Sequence, residues 1–137
     1  MVRDGMVRLA DRPLKVLYVE DNEDIRRVFD ALIRLTVGAE TEVLLASDGE
    51  EGVELALKER PDVIFMDEEL PLMDGLEATR RLRAQSSLRD VPVIMISAHL
   101  NREERRQRAK EAGVTLLIDK PFEAQDLEDA LRRVLGE

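Results

Sequence analysis

Residues 62–67 read DVIFMD, and three other runs share that form: KVLYVED at 15–21, VPVIMIS at 91–97, and TLLID at 115–119 ahead of Lys120 and Pro121. A fifth apolar run lies at 42–47. None alternates strictly between apolar and polar. Continuous apolar runs of this length suit strands buried on both faces, which is the condition of a parallel sheet. Charged segments of helical length separate them. Strand–helix repeated five times implies parallel strands joined by right-handed helical crossovers, with helices on both sheet faces. The expected class is an α/β, doubly wound, five-stranded parallel sheet.

The intervening segments carry helical signals. Ile25, Val28, Phe29, Leu32 and Ile33 recur at helical spacing before Gly38, as do Val53, Ala56 and Leu57 after Asp48. Leu127, Ala130, Leu131 and Val134 form the clearest stripe, ahead of Gly136. Asp48 with Glu51, Asp74 with Glu77, and Asn101 with Glu104 each place a capping side chain three residues before a glutamate. Asn22 is placed to cap the first helix. Residues 101–112, NREERRQRAKEA, have helical propensity but offer little beyond Ala109 and Ala112 for burial. Such a helix is either a solvated surface element or one whose position responds to a nearby site. Residues 1–13 show no clear period and stop at Pro13, so they are read as a loosely held N-terminal arm or a partner-contacting extension. Residues 14–137 are read as one domain.

Composition narrows the chemistry. The chain has 137 residues, 44% of them hydrophobic, which suits one core. Its net charge of -9 argues against binding nucleic acid or an anionic membrane, both polyanions. There is no cysteine, which removes thiol nucleophiles, disulfides and cysteine-ligated metals. No apolar run approaches the ~20 residues that span a bilayer, and the N-terminus lacks the apolar centre of a signal peptide. The expected location is cytoplasmic.

The polar residues that stop the strands carry the functional argument. In open parallel sheets, ligands bind outside the carboxyl ends of the strands. That edge would gather Glu20, Asp21, Asp67, Ser97 and Lys120. Carboxylates packed together repel one another unless a cation neutralises them, and all-oxygen ligation suits Mg2+ or Mn2+. Asp67 is the candidate nucleophile, since a carboxylate can accept a phosphoryl group as an acyl phosphate. Lys120 supplies a point charge for the transferring group, and Ser97 a hydroxyl donor. Ala98 is small enough to let that group approach. His99, the sole histidine, is either a site-mouth acid or base or an exposed loop residue. No Ser-His-Asp pattern or glycine-rich phosphate loop is present.

Together, VEDN at 19–22, MDEELPLMDG at 66–75, SAH at 97–99 and KPF at 120–122 resemble the receiver domain of two-component response regulators. The resemblance covers residues 14–137. It implies a flavodoxin-like, CheY-like fold with strand order 2-1-3-4-5. It implies that Asp67 is phosphorylated by a sensor histidine kinase or a phosphotransfer protein. It further implies that Asp21 binds Mg2+ directly, that Glu20 does so through a water, and that the backbone carbonyl of Glu69 completes the protein ligands. Ser97 would move toward the phosphoryl group, Lys120 would pair with it, and the Lys120–Pro121 bond would be cis. Phosphorylation would switch a protein-binding surface on the last two helices and the strand between them.

Several positions depart from the family's pattern. Glu20 replaces the commoner aspartate. The Glu69 side chain could contact the metal, pair with Lys120 or influence the hydrolytic water, and with His99 it is a candidate modulator of phosphoryl lifetime. Leu117 stands where many members carry a switching Tyr or Phe, so the helix at 101–112 is a candidate for the moving part instead. The chain is expected to be a binding module, not an enzyme beyond its own Mg2+-dependent phosphorylation and dephosphorylation. Its downstream protein is not legible. With no output domain after the last helix, the output would be a protein contact or onward phosphotransfer. The segment LMDGLEATRRLR also resembles receivers attached to hybrid histidine kinases. Other readings are a haloacid dehalogenase-type phosphohydrolase, whose nucleophile normally stands on the first strand, and a scaffold that is never phosphorylated. The arginine-rich 101–112 segment and Glu123, Asp126, Glu128 and Asp129 suit either a homodimer or pairing within one subunit.

Overall fold

The computed structural model describes residues 12–98 and 101–136. Most of the N-terminal arm, together with His99, lies outside the described residues. The elements alternate throughout: β1 (Lys15–Val19), α1 (Glu23–Thr36), β2 (Glu42–Ala46), α2 (Gly49–Glu59), β3 (Val63–Asp67), α3 (Gly75–Arg83), β4 (Val93–Ser97), α4 (Arg102–Ala112), β5 (Leu116–Asp119) and α5 (Ala124–Leu135). A single 3-10 turn, Ser86–Leu88, precedes β4. The strands form one sheet in the order β2-β1-β3-β4-β5, and all pairs are parallel. That is the expected strand order.

Strand residues alternate between two cores. Val16, Tyr18, Phe65, Ile94 and Ile96 face α1 and α5, where they meet Phe29, Ile33, Leu127 and Leu131. Leu17, Val19, Ile64, Met66, Val93 and Met95 face the other side, with Ala56, Leu82, Leu88, Ala109 and Ala112. Both faces of β3 and β4 are covered, so these strands are apolar at every position until the polar residue that ends them. Phe29 stacks on Tyr18 with ring centroids 4.0 Å apart and meets Phe65 edge-on at 5.0 Å.

Local capping follows the sequence at three of the four helix starts considered. Asn22, Asp48 and Asp74 accept from the backbone N–H groups of Ile25, Glu51 and Glu77 at 3.0, 2.8 and 2.9 Å. Asn101 does not. Its backbone is left-handed (φ 53°), which turns its side chain away from the first-turn amides, so α4 begins without a side-chain cap. The α1 stripe also differs from expectation. Phe29 and Ile33 are buried, but Ile25 and Val28 are exposed, because the helix offers more apolar positions than the sheet can cover. At the arm, Arg12 makes a bidentate pair with Asp62 at 2.7 and 3.0 Å.

Arg83 ties three segments together through backbone carbonyls. Its Nε donates to the carbonyl of Gly113 at the end of α4, and its Nη1 donates to the carbonyls of Leu88 and Val91 before β4, at 2.9, 2.9 and 2.7 Å. Gly113 is the left-handed residue that closes α4, and a Cβ there would lie 2.7 Å from the Arg83 side chain. Arg83→Ala leaves these carbonyls without their donor. Urea unfolding should show a loss of roughly 2–4 kcal/mol; a change within about 0.5 kcal/mol would show that the carbonyls rehydrate freely.

Candidate functional site

The parallel register brings the carboxyl ends of β1, β3, β4 and β5 to one edge. Asp67 is the last residue of β3, between β1 and β4, and is 2% exposed. Its two oxygens are held separately. Oδ2 accepts from Lys120 Nζ at 3.1 Å, and Oδ1 accepts from the Glu69 backbone N–H, also at 3.1 Å. Lys120 is itself placed by its backbone N–H, which donates to the Ser97 carbonyl at 2.8 Å as β5 leaves the sheet. The Lys120–Pro121 bond is cis, as the resemblance implies.

The acids of β1 sit beside Asp67. Glu20 is 2% exposed and Asp21 is exposed, yet ligand oxygens of Glu20, Asp21 and Asp67 all lie within 4.8 Å of one another. Glu20 accepts from the Asn22 backbone N–H at 2.9 Å and from the Tyr18 hydroxyl at 3.3 Å. Arg26 reaches back from α1 to the Glu20 carbonyl at 2.7 Å. Burial first, and then the adjacent Asp67, push the Glu20 carboxyl up to about 8, against the pull of the Asn22 N–H. Burial and Glu20 likewise push the Tyr18 phenol far above its ordinary range. Of these three acids, the Lys120 ammonium pairs with Asp67. A hard divalent cation with oxygen ligands fits this donor set, because it would satisfy the charge that burial leaves uncompensated.

Ser97 ends β4 beside the acceptor strand, but its hydroxyl is turned elsewhere. It donates to Glu68 Oε1 at 2.5 Å. Arg105 of α4 donates to the same Glu68 oxygen at 2.8 Å and lies 3.3 Å from Ser97 Oγ. Ala98 follows, half-buried. The Glu69 side chain is exposed and lines a cleft between the β3–α3 loop and the start of α4, with Glu68, Glu104, Arg105 and Arg108. The Lys120 ammonium pairs with Asp67, not with Glu69. Leu117 pairs with Met95 across β4–β5 and packs in the α2–α4 core.

Glu68, Arg105 and Gly75 are not among the site residues expected from the sequence. Gly75 opens α3 so close beneath the acceptor that a Cβ there would lie 2.3 Å from the Asp67 carbonyl oxygen. The signal for Gly75 is visible in hindsight as a glycine directly after a capping Asp. Glu68 and Arg105 had no such signal, since they are two charged residues among many.

Asp67 stands on the third strand of the chain, not on the first, where the phosphohydrolase alternative normally places its nucleophile. The response regulator receiver domain family matches residues 16–132. The polar-differentiation response regulator DivK of Brucella anthropi is 34% identical over 125 residues, covering 91% of this chain and 98% of DivK. A protein-glutamate methylesterase/protein-glutamine glutaminase of Myxococcus xanthus is 37% identical, but the chain spans only 35% of its length. Among solved structures, the chemotaxis protein CheY4 of Vibrio cholerae superposes with a TM-score of 0.81 at 34% identity, covering 89% of this chain and 98% of CheY4. The receiver domain of the sensor histidine kinase PA1611 from Pseudomonas aeruginosa, with magnesium coordinated in its active-site cleft, gives 0.80 at 35% identity, covering 91% and 99%. Strand order, strand-end acids and sequence similarity therefore agree: the chain belongs to the response regulator receiver domain family.

Proposed function

We propose that this chain is a phosphoacceptor in a two-component or phosphorelay system, with Asp67 taking a phosphoryl group from a phosphohistidine of a sensor kinase or phosphotransfer protein. One observation carries the reading: a buried carboxylate, Asp67, lies 3.1 Å from the Lys120 ammonium and within 4.8 Å of two further acids. Glu20, Asp21 and Asp67 would hold Mg2+, or Mn2+, with the Glu69 backbone carbonyl as a further ligand. When bound, the metal supplies positive charge to the acids and to the phosphoryl oxygens.

In the transfer, an Asp67 oxygen forms a bond to phosphorus as the bond from phosphorus to the donor imidazole nitrogen breaks, and the electron pair stays on that nitrogen. Such a transfer needs positioning and charge stabilisation more than proton movement. The Glu69 N–H and Lys120 fix the Asp67 carboxylate in place. Lys120 then follows the charge from the carboxylate to the phosphoryl oxygens, where it is worth more because the site is buried. Ser97 is a donor to those oxygens once its hydroxyl turns, and half-buried Ala98 beside it leaves room for the group. The chain itself is a binding module whose chemistry is confined to gaining and losing this phosphoryl group. Its downstream partner is a protein, contacted through the surface of α4, β5 and α5. No described helix is long and apolar enough to cross a membrane.

Asp67→Asn should fold normally and retain no phosphoryl group from acetyl phosphate with Mg2+, read by intact mass. Wild-type labelling of that variant would move the acceptor elsewhere. Lys120→Ala should slow labelling by roughly 10²-fold, the scale of one lost charge-stabilising donor.

The Glu20 environment sets a pH dependence. Without metal, the folded chain holds a proton on Glu20 that the unfolded chain releases near 4.5, so stability falls as pH rises from about 4.5 to about 8. Mg2+ competes with that proton, so its affinity should rise over the same interval and level off above it. The fluorescence of Tyr18, the sole tyrosine and a hydrogen-bond donor to Glu20, is the readout. A Mg2+ affinity independent of pH across that interval would remove Glu20 from the metal's surroundings.

A further inference from the structure

Helix α4 is joined to the domain by charge more than by apolar contact. It buries only Ala109 and Ala112 among its described residues. Its last turn is fixed by the Arg83–Gly113 hydrogen bond. Its first turn is held by two ion pairs, Arg102 with Asp119 and Arg105 with Glu68. Each carboxylate is the chain neighbour of a site residue: Glu68 follows Asp67, and Asp119 precedes Lys120. Both sides of the acceptor site are thus wired to one turn of one helix.

Resting on the phosphoacceptor reading, we propose that Glu68 and Arg105 are positioning residues that hold the Ser97 hydroxyl away from Asp67 in the unmodified chain and tie the state of Asp67 to the first turn of α4. A serine hydroxyl has one proton to donate. Here its nearest acceptor is Glu68 Oε1 at 2.5 Å, with the Ala98 carbonyl farther off at 3.3 Å, and Ser97 is 1% exposed. It cannot serve Glu68 and a phosphoryl oxygen together. A phosphoryl group on Asp67 brings new acceptor oxygens and negative charge next to Glu68. The hydroxyl turns to the phosphoryl oxygen, and Glu68 loses a charge-assisted bond while facing a repelling neighbour. The Glu68–Arg105 pair then shifts as a unit. With the far end of α4 fixed by Arg83 and little apolar area resisting, the first turn is the part that yields.

The test uses beryllofluoride with Mg2+ as the phosphoryl mimic on the full chain. Glu68→Leu should tighten mimic binding about tenfold, the scale of one charged hydrogen bond, and that gain should vanish when Ser97→Ala is also present. An equal gain in both backgrounds would overturn the proposal, because Glu68 would then act only as a nearby negative charge. Amide exchange over residues 101–108 should rise in the wild type when the mimic binds. In Arg105→Gln, which keeps Glu68 and Ser97, exchange should be raised and indifferent to a mimic that still binds. Wild-type exchange unmoved by saturating mimic would also overturn it. Failure of the wild type to bind the mimic saturably would bring down the phosphoacceptor reading itself, an outcome separate from the other two.

Discussion

A buried carboxylate beside two others needs a countercharge, and the arrangement of this domain supplies it from across the sheet. Asp67 ends the central strand, and Lys120 arrives from the end of an edge strand to meet it at 3.1 Å. Neither position has meaning without the other. Asp67 unpaired would carry the cost of a charge removed from water, whereas Lys120 keeps part of its hydration. That ammonium pairs with Asp67, and burial, with Asp67 alongside, pushes the Glu20 carboxyl up to about 8. A divalent cation with oxygen ligands fits the acids gathered there.

The two kinds of anchoring in the molecule divide its labour. The sheet and helices α1, α3 and α5 are held by apolar packing, which is dense and non-directional. Helix α4 depends on arginines that reach carboxylates beside the site. Hydrogen-bonded ion pairs are directional and respond to a nearby change in charge. Leu117 fits this division. It packs as an ordinary aliphatic residue and brings no ring to the β5 edge. Gly75 serves the rigid side, because only a residue without a Cβ lets α3 start against the Asp67 carbonyl.

Much of the architecture was legible in the primary order of residues. Strands buried on both faces must be apolar at successive positions, so DVIFMD and VPVIMIS announced themselves. Asn22, Asp48 and Asp74 cap their helices as their spacing suggests, because capping is a contact between residues three apart. The strand-end residues Glu20, Asp21, Asp67, Ser97 and Lys120 belong together because parallel strands put their carboxyl ends at one edge. Asn101 shows the limit of local reading. The same capping pattern fails there because the backbone enters α4 in a left-handed conformation.

What only the tertiary structure decided is which charges meet. With 37% of residues charged, every arginine of α4 has many acids of opposite sign to choose from. The selection of Glu68 for Arg105 and of Asp119 for Arg102 depends on how α4 lies over the ends of β3 and β5. The direction of the Ser97 hydroxyl follows from that selection. Hydrophobic periodicity and helix caps are properties of neighbours along the chain, so sequence alone determines them. Ion-pair partners are properties of distance in space, and distance exists only after the chain has folded.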